Sequence, residues 1–303
     1  MSNGSPPAER NDTVPEGLAS EVKLWTRASC PTCLQSAMFY CPFCCVPIGV
    51  PGGVSVPQVK LPLRRCDVLF DDAPKKATGL HAKVLAPAQV RLVDLWTSDV
   101  SQNRTLSRPG GSVVRATPPP VQSVVEAAGP NPPVAEFPDT ALTREIPDYD
   151  PSVTVVLFPD EGSVPLDEAG LETLPGSTLV VIDAPWKRAQ ALRKDPRLAK
   201  LRSVRLRKPP PTRFWRYHAE GDGCVSTIEA IAAAVRELRA PGCLPSSDEA
   251  PCLRVAHDEG GNGNSALSLE DPILFFFVRQ FALIAMRRHD CPDLPMDAAA
   301  KER

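Results

Sequence analysis

At 303 residues the chain is long enough for one large domain or two ordinary ones, and 43% apolar residues suit a folded globular protein. A net charge of −2 excludes polyanion binding by bulk charge, and 35 prolines, well above ordinary usage, point to long irregular connections. The N-terminus "MSNGSPPAERNDTVPEG" has no apolar core of a secretory signal, and the most apolar run, residues 273–286, contains Arg279 and Gln280 and is too short to span a bilayer. The expected location is the nucleus or cytoplasm, the nucleus preferred, with no membrane partner.

Taken in chain order, residues 1–20 read as a disordered tail and residues 21–47 as a cysteine module. "RASCPTCLQSAMFYCPFCCVP" holds five of the ten cysteines, with Cys30 and Cys33 forming one C-x2-C pair and Cys41 and Cys44 a second. Disulfides are rare in reducing compartments, so clustered cysteines there are metal ligands or redox groups. Two tandem pairs converge four thiolates on one point, as tetrahedral Zn²⁺ requires. Structural zinc is the favoured reading, with iron and a redox pair as the others. Cys45 is left over, and Cys66, Cys224, Cys243, Cys252 and Cys291 are scattered small residues.

Beyond the module, a strand is predicted at 66–70, a loop or short helix at 79–87 and a second strand at 89–96. Residues 98–144 are dense in Pro and Gly and read as an insertion. The pattern then sharpens. "SVTVVLFPDEGS" and "STLVVIDAPW" are buried strands running into turns, "KRAQALRKDPRL" a basic helix and "SVRLR" a third strand. "STIEAIAAAVREL" is an amphipathic helix with a Ser226/Glu229 capping box, and residues 269–289 a buried helix before a flexible tail, 291–303. Continuous apolar strands alternating with helices predict an α/β fold with a mostly parallel sheet spanning 48–290.

Charge is strongly uneven. Residues 187–216 carry twelve basic residues and one acid, Asp195, so this segment is +11 and the remainder −13. Lys187, Arg188, Arg193, Lys194, Arg205, Arg207, Lys208, Arg213 and Arg216, with Phe214 and Trp215 beside them as stacking groups, are read as an RNA surface rather than a solvated face. The turns at 157–163, 182–186 and 226–230 lie where a parallel sheet gathers ligand groups. Asp183, at a strand end, would hold a cofactor amine or act as a base. Gly-rich phosphate loops and nucleophile elbows are absent, which removes the common nucleotide and hydrolase classes.

Several stretches occur together in one order: "CPTC", "MFYCPFCCVP", "VKLPL", "TGLHAKVLAP", "LFPDEGS", "IDAPW", "DPRL", "FWR" and "STIEAI". In these the chain resembles the DTW-domain tRNA-uridine aminocarboxypropyltransferases, over about residues 24–97 and 145–286. The resemblance implies a SPOUT-like fold, knotted in its C-terminal half. It also implies transfer of the 3-amino-3-carboxypropyl group of S-adenosylmethionine to N3 of a D-loop uridine, U20, giving acp3U. The partner would be tRNA, not DNA, and the protein a monomer. Asp183 would be the general base; Leu157, Phe158, Pro159, Asp183, Trp186, Leu206, Ser226, Thr227 and Glu229 would hold the donor; His81 would touch substrate or donor, or be structural. The family signature is D-x-T-W, whereas Asp183-Ala184-Pro185-Trp186 stands here, with Pro for Thr. Two other classes compete: a non-catalytic zinc-containing RNA-binding protein and a SPOUT-type methyltransferase.

Overall fold

The computed structural model describes residues 13–96, 143–170, 176–216, 224–239 and 269–290. The predicted insertion lies almost wholly outside these residues, as do the tail 291–303 and the first twelve residues. The 1–20 tail needs correction within what is described: α1 (Glu16–Leu24) begins inside it. Leu18 and Val22, one turn apart, face the core, and Glu21 pairs with Arg279 of the last helix (2.7 Å), so this helix is held by tertiary contacts.

The cysteine module follows as two small antiparallel hairpins, β1 (Ala28–Ser29) with β2 (Ser36–Ala37), and β3 (Tyr40–Cys41) with β4 (Val46–Pro47). Then come β5 (Arg65–Phe70), α2 (Leu80–Leu85), β6 (Val90–Asp94), β7 (Thr154–Leu157), β8 (Val164–Pro165) and β9 (Thr178–Asp183). The basic helix is two helices, α3 (Trp186–Arg193) and α4 (Pro196–Ala199). Pro196 cannot donate to the α3 ladder, and Asp195 instead caps α4 by accepting from Arg197 N–H (2.9 Å). β10 (Arg202–Arg205), α5 (Thr227–Leu238) and α6 (Phe275–Asp290) complete the described fold.

The main sheet has six strands in the order β6-β5-β9-β7-β10-β8, and every pairing is parallel. Its strand faces alternate with the pleat. Cys66, Val68 and Phe70 of β5 face one core with α2, α5 and α6. Leu69 faces a smaller core with Ala189 of α3 and Leu198 of α4. Asp67, on the smaller-core side, is fully buried; it accepts from Arg91 Nε (3.1 Å) and pairs with Arg65 (3.3 Å), because a buried carboxylate must be matched by charge and hydrogen bonds. Among the described residues no helix is long and apolar enough to cross a membrane.

A buried aspartate at the sheet edge and a four-thiol cluster

The register that aligns Phe70 of β5 with Asp183 of β9 brings the carboxyl ends of these two interior strands together along the carboxyl-end edge of the sheet. Asp183 is 8% exposed there. Gly79 N–H donates to its Oδ2 (2.7 Å) and Thr227 Oγ1 donates to its Oδ1 (2.8 Å). Thr227 opens α5, whose positive N-terminal end also suits a carboxylate. Gly79 is required by space, not by φ: a Cβ there would lie 2.6 Å from Val68 Cγ1 and 2.9 Å from Asp183 Oδ2. Burial raises the Asp183 carboxyl to about 6, against the lowering effect of Gly79 and Thr227; Asp72 pushes it further up and Arg216 opposes this. A carboxylate has about four acceptor positions, so this one keeps capacity for another donor. Its acidity suits proton abstraction near neutral pH.

The other residues assigned to a donor wall do not form one surface. Phe158 and Trp186 stack face to face (5.2 Å, 6°) on the side of the smaller core, and Pro159 beside them is exposed. Leu157 and Leu206 pack against the larger core, across the sheet. Ser226 and Glu229 are bonded to each other. Glu229 is buried, and its carboxylate accepts from Ser226 N–H (2.8 Å), Ser226 Oγ (2.7 Å), Thr212 Oγ1 (2.8 Å) and Arg213 N–H (2.8 Å). These four bonds use its acceptor capacity and tie the 212–213 segment to α5.

His81 is fully enclosed, its ring edge-on to Tyr40 (5.1 Å) and Phe276 (6.3 Å). Burial, aided by Arg216, lowers it to about 3, so it stays neutral and is no proton carrier at physiological pH. Phe214 and Trp215 are also buried; Trp215 stacks on Phe277 (5.4 Å), so neither offers a face to an incoming base.

The basic run is not one open face, because acids distant in sequence fold onto it. Arg188 Nε donates to Asp71 Oδ2 (2.9 Å). Arg193 is bonded to Leu198 O (2.7 Å) and Ser203 Oγ (2.8 Å) and lies 3.3 Å from Asp160. Arg205 donates to Ser163 O, and Arg207 to Asp167 (2.8 Å) and Glu168 (2.6 Å). Arg213 lies over the Phe281 ring, and Arg216 donates to Lys76 O (2.8 Å). Lys187, Lys194 and Lys208 are exposed. Lys187 and Arg188, in the first turn of α3, are the cations of this run that directly follow the Asp183 turn.

Cys30, Cys33, Cys41 and Cys44 converge with their sulfurs all within 4.8 Å of one another, and Cys33 and Cys41 are 3.5 Å apart. A tetrahedron of thiolates about 2.3 Å from zinc has sulfurs about 3.8 Å apart, so the donor set fits a metal ion of that kind. Cys44 N–H points to Cys41 Sγ (3.4 Å). Leu34 and Cys45 adopt positive φ where they close the two turns, and Phe39 does so between the hairpins.

Comparison with known proteins places the chain in a family. The profile of the DTW domain family matches residues 38–250. The chain belongs to the DTW domain family. It is 30% identical over 215 residues to tRNA-uridine aminocarboxypropyltransferase 1 of Mus musculus, covering 68% of this chain and 66% of that protein. It is also 30% identical over 216 residues to the protein of the same name in Xenopus tropicalis, covering 68% of each. A shorter match, 35% over 86 residues, joins it to tRNA-uridine aminocarboxypropyltransferase 2 of Drosophila melanogaster, covering 28% of this chain and 34% of that protein. The chain thus spans about two thirds of the mouse and frog relatives. No solved structure matches significantly.

No sequence pattern marks Gly79, Thr78 or the Asp71–Arg188 pair. Gly79 and Asp183 are 104 residues apart, and no spacing rule connects them. The "TGLHAK" stretch was the available signal, through resemblance alone.

Proposed function

We propose that this DTW-family protein is a tRNA-uridine aminocarboxypropyltransferase that moves the 3-amino-3-carboxypropyl group of S-adenosylmethionine to N3 of a D-loop uridine, U20, giving acp3U. The supporting observation is the buried Asp183 carboxyl at the sheet edge, raised to about 6 and held by Gly79 and Thr227 in a chain of this family. The donor supplies an electrophilic Cγ next to a sulfonium, and the C–S electron pair leaves with methylthioadenosine. Asp183 takes the N3 proton, so the nitrogen lone pair is free to form the new C–N bond. Gly79 and Thr227 each hold one oxygen of the carboxylate, which leaves it further acceptor positions. Phe158, Pro159 and Trp186 would offer the donor an aromatic edge on one face of the sheet, with Leu157 and Thr227 on the other. Choice of the Cγ over the methyl carbon then rests on position.

Lys187 and Arg188 would grip phosphates beside the Asp183 turn, with Lys194, Lys208, Arg213 and Arg216 extending the contact. The target base must leave the tRNA fold to reach Asp183. Zn²⁺ is the metal assigned to the four thiols, in a structural role. A SPOUT-like knot in the C-terminal half belongs to the same reading.

Purified protein, S-adenosylmethionine and unmodified tRNA should give acp3U by nucleoside mass spectrometry and methylthioadenosine as by-product. S-adenosylhomocysteine instead would identify a methyltransferase. Binding of tRNA with no product would identify a non-catalytic binder.

A further inference from the structure

We infer that Tyr40 and His81 are positioning residues for Asp183, and that the four-thiol module acts on the site through them. Residues 78–81 form a short clasp with two ends. On one side, Gly79 N–H holds Asp183 Oδ2 (2.7 Å), and Thr78 Oγ1 accepts from Ile228 N–H (3.4 Å) in the first turn of α5. On the other side, the His81 ring lies under Tyr40 and Phe276, which also touch each other (5.2 Å). Tyr40 immediately precedes the ligand Cys41 and pairs with Pro47 in the β3-β4 hairpin. A shift of that hairpin therefore moves Tyr40 against the clasp, and the clasp against the carboxylate.

The packing supports a rigid connection. Trp25, Phe39 and Tyr40 belong to the main core, whereas Cys30, Cys41 and Ile48 form a separate small cluster. The module is thus set into the catalytic core by its aromatic residues and closed on the outside by its thiols. The two nitrogens of His81 have no hydrogen-bond partner among the described residues. Burial in that state opposes folding, so the ring's contribution lies in filling the space between Tyr40 and the clasp. Close-packed interiors transmit such displacements because they have few empty spaces to absorb them.

The test uses the full chain with its metal. Tyr40→Leu removes the ring, Tyr40→Phe keeps it, and His81→Ala empties the space between Tyr40 and the clasp while removing the unpaired imidazole. Thermal unfolding confirms that each variant is folded at the assay temperature. Backbone amide exchange is read at Gly79, and transfer is followed as kcat, donor KM and pH profile, with tRNA affinity measured separately. In Tyr40→Leu and His81→Ala, Gly79 exchange should quicken at least about tenfold and kcat should fall about tenfold, because small displacements of positioned groups are costly. The acid limb of the pH profile should move upward, because the Gly79 bond that stabilises the carboxylate weakens; Asp72 and Arg216, the charges acting on Asp183, are untouched. Tyr40→Phe should match wild type, and chelation of the metal should reproduce the Tyr40→Leu pattern. Unchanged Gly79 exchange in a folded Tyr40→Leu or His81→Ala protein overturns the inference. So does a loss confined to tRNA affinity, which would make the module an RNA grip. This inference rests on the base assignment only in its kinetic readouts: absence of product from wild type defeats the proposed function, while Gly79 exchange still decides the connection.

Discussion

Asp183→Asn should make the protein more stable and inactive. The folded carboxyl is raised to about 6 from 3.8, mainly by burial. Its folded pKa lies above its unfolded pKa, so ionisation opposes folding. The penalty is nearly absent well below pH 4, grows between pH 4 and 6, and is complete above. Two pKa units at about 1.4 kcal/mol each set its ceiling at roughly 3 kcal/mol at pH 7.5, falling to about 1 kcal/mol at pH 4.5. Asparagine keeps the shape: its carbonyl oxygen can accept from Gly79 N–H, and its amide can donate to Thr227 Oγ1. The variant should therefore gain about 1–3 kcal/mol at pH 7.5, or about 2 °C in Tm per kcal/mol. Urea unfolding of both proteins at pH 7.5 and 4.5 reads the difference directly, since every other titrating group cancels. A variant no more stable at pH 7.5, or a gain that does not shrink at pH 4.5, would refute the picture of a carboxylate strained by burial. Surviving acp3U synthesis would refute its role as base.

Pro185→Thr tests the departure from the family signature. Position 185 is the N-cap of α3, at φ −54° and ψ 141°, with no side-chain cap bond, so a threonine hydroxyl there would cap the helix. A cap gains about 1 kcal/mol, offset by the proline's smaller unfolded-state entropy of about 0.4–1 kcal/mol. Stability should change by less than about 1 kcal/mol and kcat should hold; a tenfold rise in kcat would place the hydroxyl in the chemistry. Thr227→Val removes a bond that lowers the Asp183 pKa, so the acid limb of the rate profile should shift to higher pH. An unshifted limb would detach Thr227 from the base. Gly79→Ala should cost about 1–3 kcal/mol through crowding against Val68 and Asp183 and depress transfer; wild-type Tm and rate would show that the cradle yields.

Much of this protein was legible in the order of its residues. The two C-x2-C pairs specified a four-thiol site because ligand spacing on tight turns is a local property. The apolar strands specified a parallel sheet, and Ser226 and Glu229 their capping box, because periodicity and capping act within a few residues. Tertiary structure alone decided what surrounds these pieces. It joined Asp183 to Gly79 and Thr227, matched the arginines of 187–216 with acids such as Asp71, Asp160 and Asp167, and enclosed His81, Phe214 and Trp215. It also set Tyr40 of the cysteine module against His81 of the segment that holds Asp183. These contacts join residues far apart in sequence through the register of parallel strands, and burial, charge pairing and acidity are properties of that assembled environment.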